Sequence, residues 1–142
     1  MTERLYTAEA IADGARTGRT RSSDGRLDVQ LSRPAAMGGD DGPGTNPEQL
    51  FAAGYAACFH SAMRHALRPL SLRPDALEGS SVTAKVHFDK ADVTTFDLAV
   101  DLEGHLPALD EATARALMEA THQVCPYSRA TRGIVPVTLN VV

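Results

Sequence analysis

The chain has 142 residues, 23% charged and 43% apolar, with a formal net charge of −4. That balance excludes wholesale disorder and gives no electrostatic reason for binding nucleic acid or an anionic membrane. No run approaches the eighteen or so apolar residues of a membrane span, and Met1 to Asp13 lacks the basic-then-apolar order of a signal peptide, so a cytoplasmic protein is expected.

Leu5 to Ile11 and Leu27 to Leu31 carry apolar residues at roughly alternate positions on either side of the polar stretch Gly14 to Gly25, which predicts two or three strands joined by tight turns. Gly38 to Gly44 is too rich in glycine, proline and aspartate to be regular and is expected to be a mobile loop. Its spacing matches neither familiar phosphate-binding glycine motif, and Asp40 and Asp41 would repel an anion. A helix should start at Asn46, with Pro47 at its first position and Gln49 placed as in a capping box, and should run to about Leu67. Its first three turns, from Leu50 to Phe59, leave little polar surface and predict a central helix with Cys58 buried on it.

Val82, Ala84, Val86 and Phe88 alternate with polar residues, as do Phe96, Leu98, Val100 and Leu102, predicting an antiparallel pair across a turn at Asp89 to Thr94. A second helix is expected from Asp110 to Val124, with Ala112, Ala116 or Leu117, and Ala120 on its inner face. Pro126 stops that helix, and a short one from Pro126 to Arg132 would place Cys125 at its N-cap and Gly133 at its end. Val135 to Val142 reads as a closing strand. The sum is one α+β domain over residues 1–142 in which sheets cover two mostly apolar helices. Such a chain would bury only about two-thirds of its unfolded surface alone, and a dimer would help it.

Two cysteines in a reducing compartment are more often catalytic, metal-binding or simply buried than a permanent cross-link. Cys58 in apolar surroundings would be inert without a nearby cation, because burial raises a thiol pKa. Arg16 and Arg19 are the candidate cations, and Glu48 at the start of the long helix is the obvious carboxylate to hold one. Ten residues separate Glu48 from Cys58, roughly 15 Å of helix, so either the helix breaks near Gly54 or a partner subunit supplies Glu48; the second is preferred. Each residue also has a plainer reading: Cys58 as inert core, Arg16 as a solvated charge, Glu48 as a complement to the helix N-terminus. His60, His65 and His105 have no evident partner, and a zinc site from Cys58, His60, His122 and Cys125 is disfavoured because Cys58 and His60 point to different sides of a helix. These residues alone support a dithiol site and no more.

The segment Gly44-Thr45-Asn46-Pro47-Glu48-Gln49-Leu50-Phe51-Ala52-Ala53-Gly54-Tyr55-Ala56-Ala57-Cys58-Phe59 closely resembles the central motif of the organic hydroperoxide resistance proteins, the Ohr branch of the Ohr/OsmC family. His122-Gln123-Val124-Cys125-Pro126-Tyr127-Ser128 resembles the family's second cysteine motif, and Arg16-Thr17-Gly18 leading into Ser22-Ser23-Asp24 is a third match. The resemblance spans nearly the whole chain. It implies an OsmC-like fold of antiparallel sheets wrapped around two central helices, in an intertwined homodimer with sites at the interface and no metal or bound cofactor. It implies that Cys58 is the peroxidatic cysteine and Cys125 the resolving one, with Arg16 the active-site arginine and Glu48 its paired carboxylate. The expected substrates are alkyl or lipid hydroperoxides against an apolar wall of Leu50, Phe51 and Phe59, with Tyr127 a further lining candidate. Dihydrolipoamide arms of lipoylated proteins, or another dithiol, are the expected reductant. An OsmC-type peroxidase of broader substrate range and a non-enzymatic ligand-binding dimer are the alternatives; Val124-Cys125-Pro126-Tyr127-Ser128 favours the Ohr branch. Arg129 stands where a smaller polar residue is expected, and Arg19 and Arg21 add charge near Arg16.

Overall fold

Residues 2–142 are described by a computed structural model, in which the chain forms two compact units that divide between Leu50 and Phe51. The first unit is built on an antiparallel meander of β1 (Ala10–Asp13), β2 (Arg19–Ser22) and β3 (Asp28–Gln30). Ile11 lies opposite Arg21, and Thr20 opposite Val29. Leu5 to Glu9 form no strand, and the polar stretch Gly14 to Gly25 supplies the central strand instead. Period-two apolarity failed as a guide here because this meander is wet: β1 is exposed at every position, and Ile11 is 57% accessible.

The glycine-rich segment after β3 is irregular, as expected, yet it is tied down. Asp41 N–H donates to the Arg33 carbonyl (3.1 Å), Gly44 N–H to Ser32 Oγ (2.8 Å) and Thr45 N–H to the Gln30 carbonyl (2.9 Å). The α-helix α1 (Pro47–Ala66) then starts where the capping residues predict, with Asn46 Oδ1 accepting from Gln49 N–H at 2.8 Å. The reciprocal half of a capping box does not form. Gln49 Oε1 instead accepts from Thr45 Oγ1 at 2.6 Å.

The second unit packs the rest of α1 and two further helices against a three-stranded sheet. β4 (Ser81–Lys90) and β5 (Phe96–His105) pair antiparallel, as expected, with Val86 opposite Val100. The closing strand β6 (Val137–Val141) joins the other edge of β5 in parallel, with Leu102 opposite Leu139. A parallel neighbour needs a crossover, and α2 (Glu111–Val124) followed by α3 (Pro126–Thr131) provides it. Asp110 caps α2 by accepting from Thr113 N–H at 2.7 Å.

The core collects Tyr55, Phe59, Met63 and Ala66 from α1, Val100 and Leu102 from β5, and Ala114, Leu117 and Met118 from α2. The inner face of α2 therefore matches the expected one only in part: Leu117 is buried and Ala120 packs partly against the core. Ala114, Leu117, Met118 and Thr121 recur at helical spacing and are buried, whereas Ala112 and Ala116 are exposed. Among the described residues, no helix is long and apolar enough to cross a membrane.

Candidate active site

Arg16 sits in a single turn of 3-10 helix, Ala15–Thr17, between β1 and β2. The turn is held open by backbone geometry: Gly14 has φ +73° and Ala15 φ +52°, and a Cβ on Gly18 would collide with the Asp13 carbonyl. This places the guanidinium against the first turn of α1, where Nη1 and Nη2 donate to Glu48 Oε2 and Oε1 at 2.8 and 2.7 Å. The two parallel bonds form the fork that a guanidinium and a carboxylate make best. The Arg16 fork holds the Glu48 carboxyl below its ordinary value against partial burial, and Glu48 in turn raises the Arg16 pKa. Arg19, the rival cation, is taken by Asp28 through bonds of 2.6 and 2.8 Å, and Arg21 lies 3.7 Å from Asp13.

In the second unit Cys58 and Cys125 are both free thiols, with Cys125 Sγ 3.8 Å from Cys58 Sγ. Sixty-seven residues of chain separate them. Cys58 is half-buried, not enclosed as expected, because α1 buries the stripe Tyr55, Phe59, Ala62, Met63 and Ala66, and Cys58 lies beside that stripe. Cys125 is fully buried, at the residue shared by the end of α2 and the start of α3. Burial pushes the Cys58 thiol above its ordinary pKa; the Tyr127 backbone N–H pulls it back, and Cys125 adds to the upward push.

An aromatic group stands beside the sulfurs. Phe51, Tyr55 and Tyr127 pack in a triangle with ring centroids 5.6 to 6.1 Å apart, and Tyr127 lies over Gly54. Phe51 is half-buried and Tyr127 is 39% exposed, so both present surface, as does half-buried Leu50 at the end of the first unit. Phe59 does not: it is completely buried in the core and reaches no open wall.

His60 and His105 are engaged elsewhere. His60 Nε2 bonds Ser80 Oγ at 2.8 Å, and His105 Nδ1 lies 3.3 Å from the Val142 carbonyl, so each has a partner that its own segment did not reveal. His122 Nδ1 is buried without a hydrogen-bond partner, and burial, then the Arg132 charge, push its pKa down. No cluster of three or more histidine, cysteine, aspartate or glutamate side chains suited to a metal ion occurs among the described residues. A buried hydroxyl set of Tyr55, Ser128 and Thr131 beside the thiols carried no separate signal beyond a tyrosine within an apolar stripe.

Residues 38–140 match the family described as OsmC-like protein. An organic hydroperoxide resistance protein of Xanthomonas axonopodis pv. citri is 47% identical over 137 residues, covering 96% of this chain and 94% of that protein. The organic hydroperoxide resistance protein OhrB of Bacillus subtilis is 42% identical over 137 residues, covering 96% and 97%. Among solved structures, an organic hydroperoxide resistance protein from Legionella pneumophila superposes with a TM-score of 0.89 at 45% identity, covering 98% of each chain.

Proposed function

Because the chain belongs to the OsmC-like protein family, we propose that it is a thiol peroxidase that confers resistance to organic hydroperoxides. The observation that carries this reading is the pair of free thiols 3.8 Å apart, one half-exposed and one buried behind it. The Cys58 thiolate attacks the terminal hydroxyl oxygen of the hydroperoxide, the O–O bond breaks, and the alkoxide leaves and takes a proton from solvent to become the alcohol. Cys58 is then a sulfenic acid, and Cys125 condenses with it to a disulfide. A dithiol such as the dihydrolipoamide arm of a lipoylated protein restores both thiols by exchange.

Burial works against a Cys58 thiolate, so the reaction needs a fixed cation. Arg16 is our candidate, because Glu48 holds its guanidinium in one orientation by two bonds. The α1 helix runs unbroken through Gly54, which leaves Glu48 about 15 Å along the axis from Cys58. We therefore assign the Arg16–Glu48 pair to the Cys58 of a second subunit in a homodimer. The exposed apolar residues Leu5, Tyr6 and Ile11 of the first unit support an interface there. Phe51 and Tyr127 form an apolar wall that favours an alkyl chain over hydrogen peroxide; Leu50 is a further lining candidate. One domain over residues 1–142 and a cytoplasmic location complete the reading.

Counting thiols before and after one equivalent of cumene hydroperoxide tests it. Loss of both thiols into a bond within one chain is expected. Thiols left intact would make the protein a ligand-binding dimer instead.

A further inference from the structure

Tyr55 precedes Cys58 by one helical turn and is completely buried. Its hydroxyl lies 2.8 Å from Ser128 Oγ and 3.4 Å from Thr131 Oγ1, both on α3. Ser128 is also completely buried, and Thr131 Oγ1 donates to the carbonyls of Tyr127 (3.0 Å) and Ser128 (3.1 Å). A phenylalanine would fill the same volume without the desolvation cost of a phenol. The hydroxyl adds a directional link between the helix that carries Cys58 and the helix that Cys125 opens.

That link matters because α3 cannot hold itself. It has six residues, far below the length at which a helix is stable alone, and begins at a proline. Its position depends on tertiary bonds. The two sulfurs are 3.8 Å apart, and a disulfide requires about 2.05 Å, so Cys125 must arrive on Cys58 with little room for error.

We propose that Tyr55 is the positioning residue of the resolving step: its hydroxyl fixes α3 against α1, so that Cys125 captures oxidised Cys58 before a second peroxide does. The proposal rests on the reading of these cysteines as attacking and resolving thiols. In the captured reaction the Cys125 sulfur attacks the Cys58 sulfur, the S–O bond breaks and the S–S bond forms. The hydroxyl leaves as water with the proton that Cys125 gives up. In the competing reaction a second hydroperoxide transfers an oxygen to the sulfenic acid, giving a sulfinic acid and another alcohol.

Tyr55→Phe and Ser128→Ala each delete the bond from one side, so the second reads the same contact if the first folds poorly. Single-turnover mixing with cumene hydroperoxide, followed by mass spectrometry, separates the two steps. The first oxidation of Cys58 should proceed at the wild-type rate in both variants. Disulfide formation should slow roughly tenfold, the scale of one lost buried hydrogen bond, and sulfinic acid should accumulate under excess peroxide. The double variant should be no slower than the worse single one, since both remove one bond. Leu102→Val, a core change in β5, controls for general loosening and should leave the ratio of the two steps unchanged. Resolution at the wild-type rate, or equal slowing of both steps, overturns the proposal. Equilibration of the dithiol with glutathione gives a reading that needs no peroxide. There the Cys58–Cys125 disulfide of Tyr55→Phe should be roughly tenfold less favoured. If wild-type Cys58 ignores the peroxide but this shift appears, the peroxidase reading fails and the positioning role stands. If the shift is absent too, both fall.

Discussion

Arg16 and Glu48 exchange two bonds of 2.8 and 2.7 Å, and only a guanidinium can make both at once. Arg16→Lys keeps the charge and loses the fork, so peroxide turnover should fall by about tenfold or more. If Arg16 acts on Cys58 as we propose, the pH midpoint for alkylation of Cys58 by iodoacetamide should move upward, because a less fixed cation supports the thiolate less. The same pair has an acid limit. The folded Glu48 pKa lies below its ordinary 4.5, so its contribution to stability is complete above that value and is lost as pH falls through the depressed folded one. Melting temperatures followed downward from neutral pH should decline less steeply over that acid window in Glu48→Gln than in the wild type, from a lower starting point. Cys58→Ser should abolish peroxide consumption altogether; any residual stoichiometric turnover would put the nucleophile elsewhere.

At the scale of elements, α1 is unusual in carrying Gly54 midway without a break. Glycine there costs about 1 kcal/mol against alanine in helix propensity. A Cβ at this position would sit 2.9 Å from the Tyr127 hydroxyl oxygen, the end of a side chain that can swing aside. Gly54→Ala should therefore melt no lower than the wild type while raising KM for a bulky aryl hydroperoxide, since Tyr127 must leave its place over the helix. Calorimetry and steady-state kinetics check the two halves separately. The start of α1 and the β4–β5 hairpin were legible in the sequence because each depends on neighbours a few residues away. β2 was not, since Arg19-Thr20-Arg21-Ser22 has no apolar face to betray a strand. Ala112 and Ala116 were misjudged because alanine faces core or water with nearly equal ease, whereas Leu117 and Met118 do not. Motif resemblance brought Cys58, Cys125, Arg16 and Glu48 forward together. The Tyr55–Ser128 bond joins residues 73 apart and stayed hidden because no local pattern encodes it.

For the whole molecule, the composite sites we propose make a prediction that no single variant reaches. Mixtures of Cys58→Ser and Arg16→Ala protein, unfolded and refolded together in equal amounts, would contain heterodimers. In each, one site would draw an intact cysteine from one chain and an intact arginine from the other. About one quarter of wild-type activity should return, half of the dimers having one of two sites restored. Sites made within a single chain would recover nothing. Sedimentation of the same samples reports whether the dimers re-form.

The parallel edge of the second sheet has a consequence in time. β4 and β5 meet across a short turn, but β6 finds β5 only after a loop closes between Val100 and Val137, with α2 and α3 folded inside it. Closing that loop costs more chain entropy than closing the hairpin, so the hairpin forms first and the C-terminal strand last. On a growing chain Cys58 is made long before Cys125 has a helix to open. The nascent protein therefore passes through an interval in which its first thiol exists without its partner, and only the docking of α3 on α1 ends it.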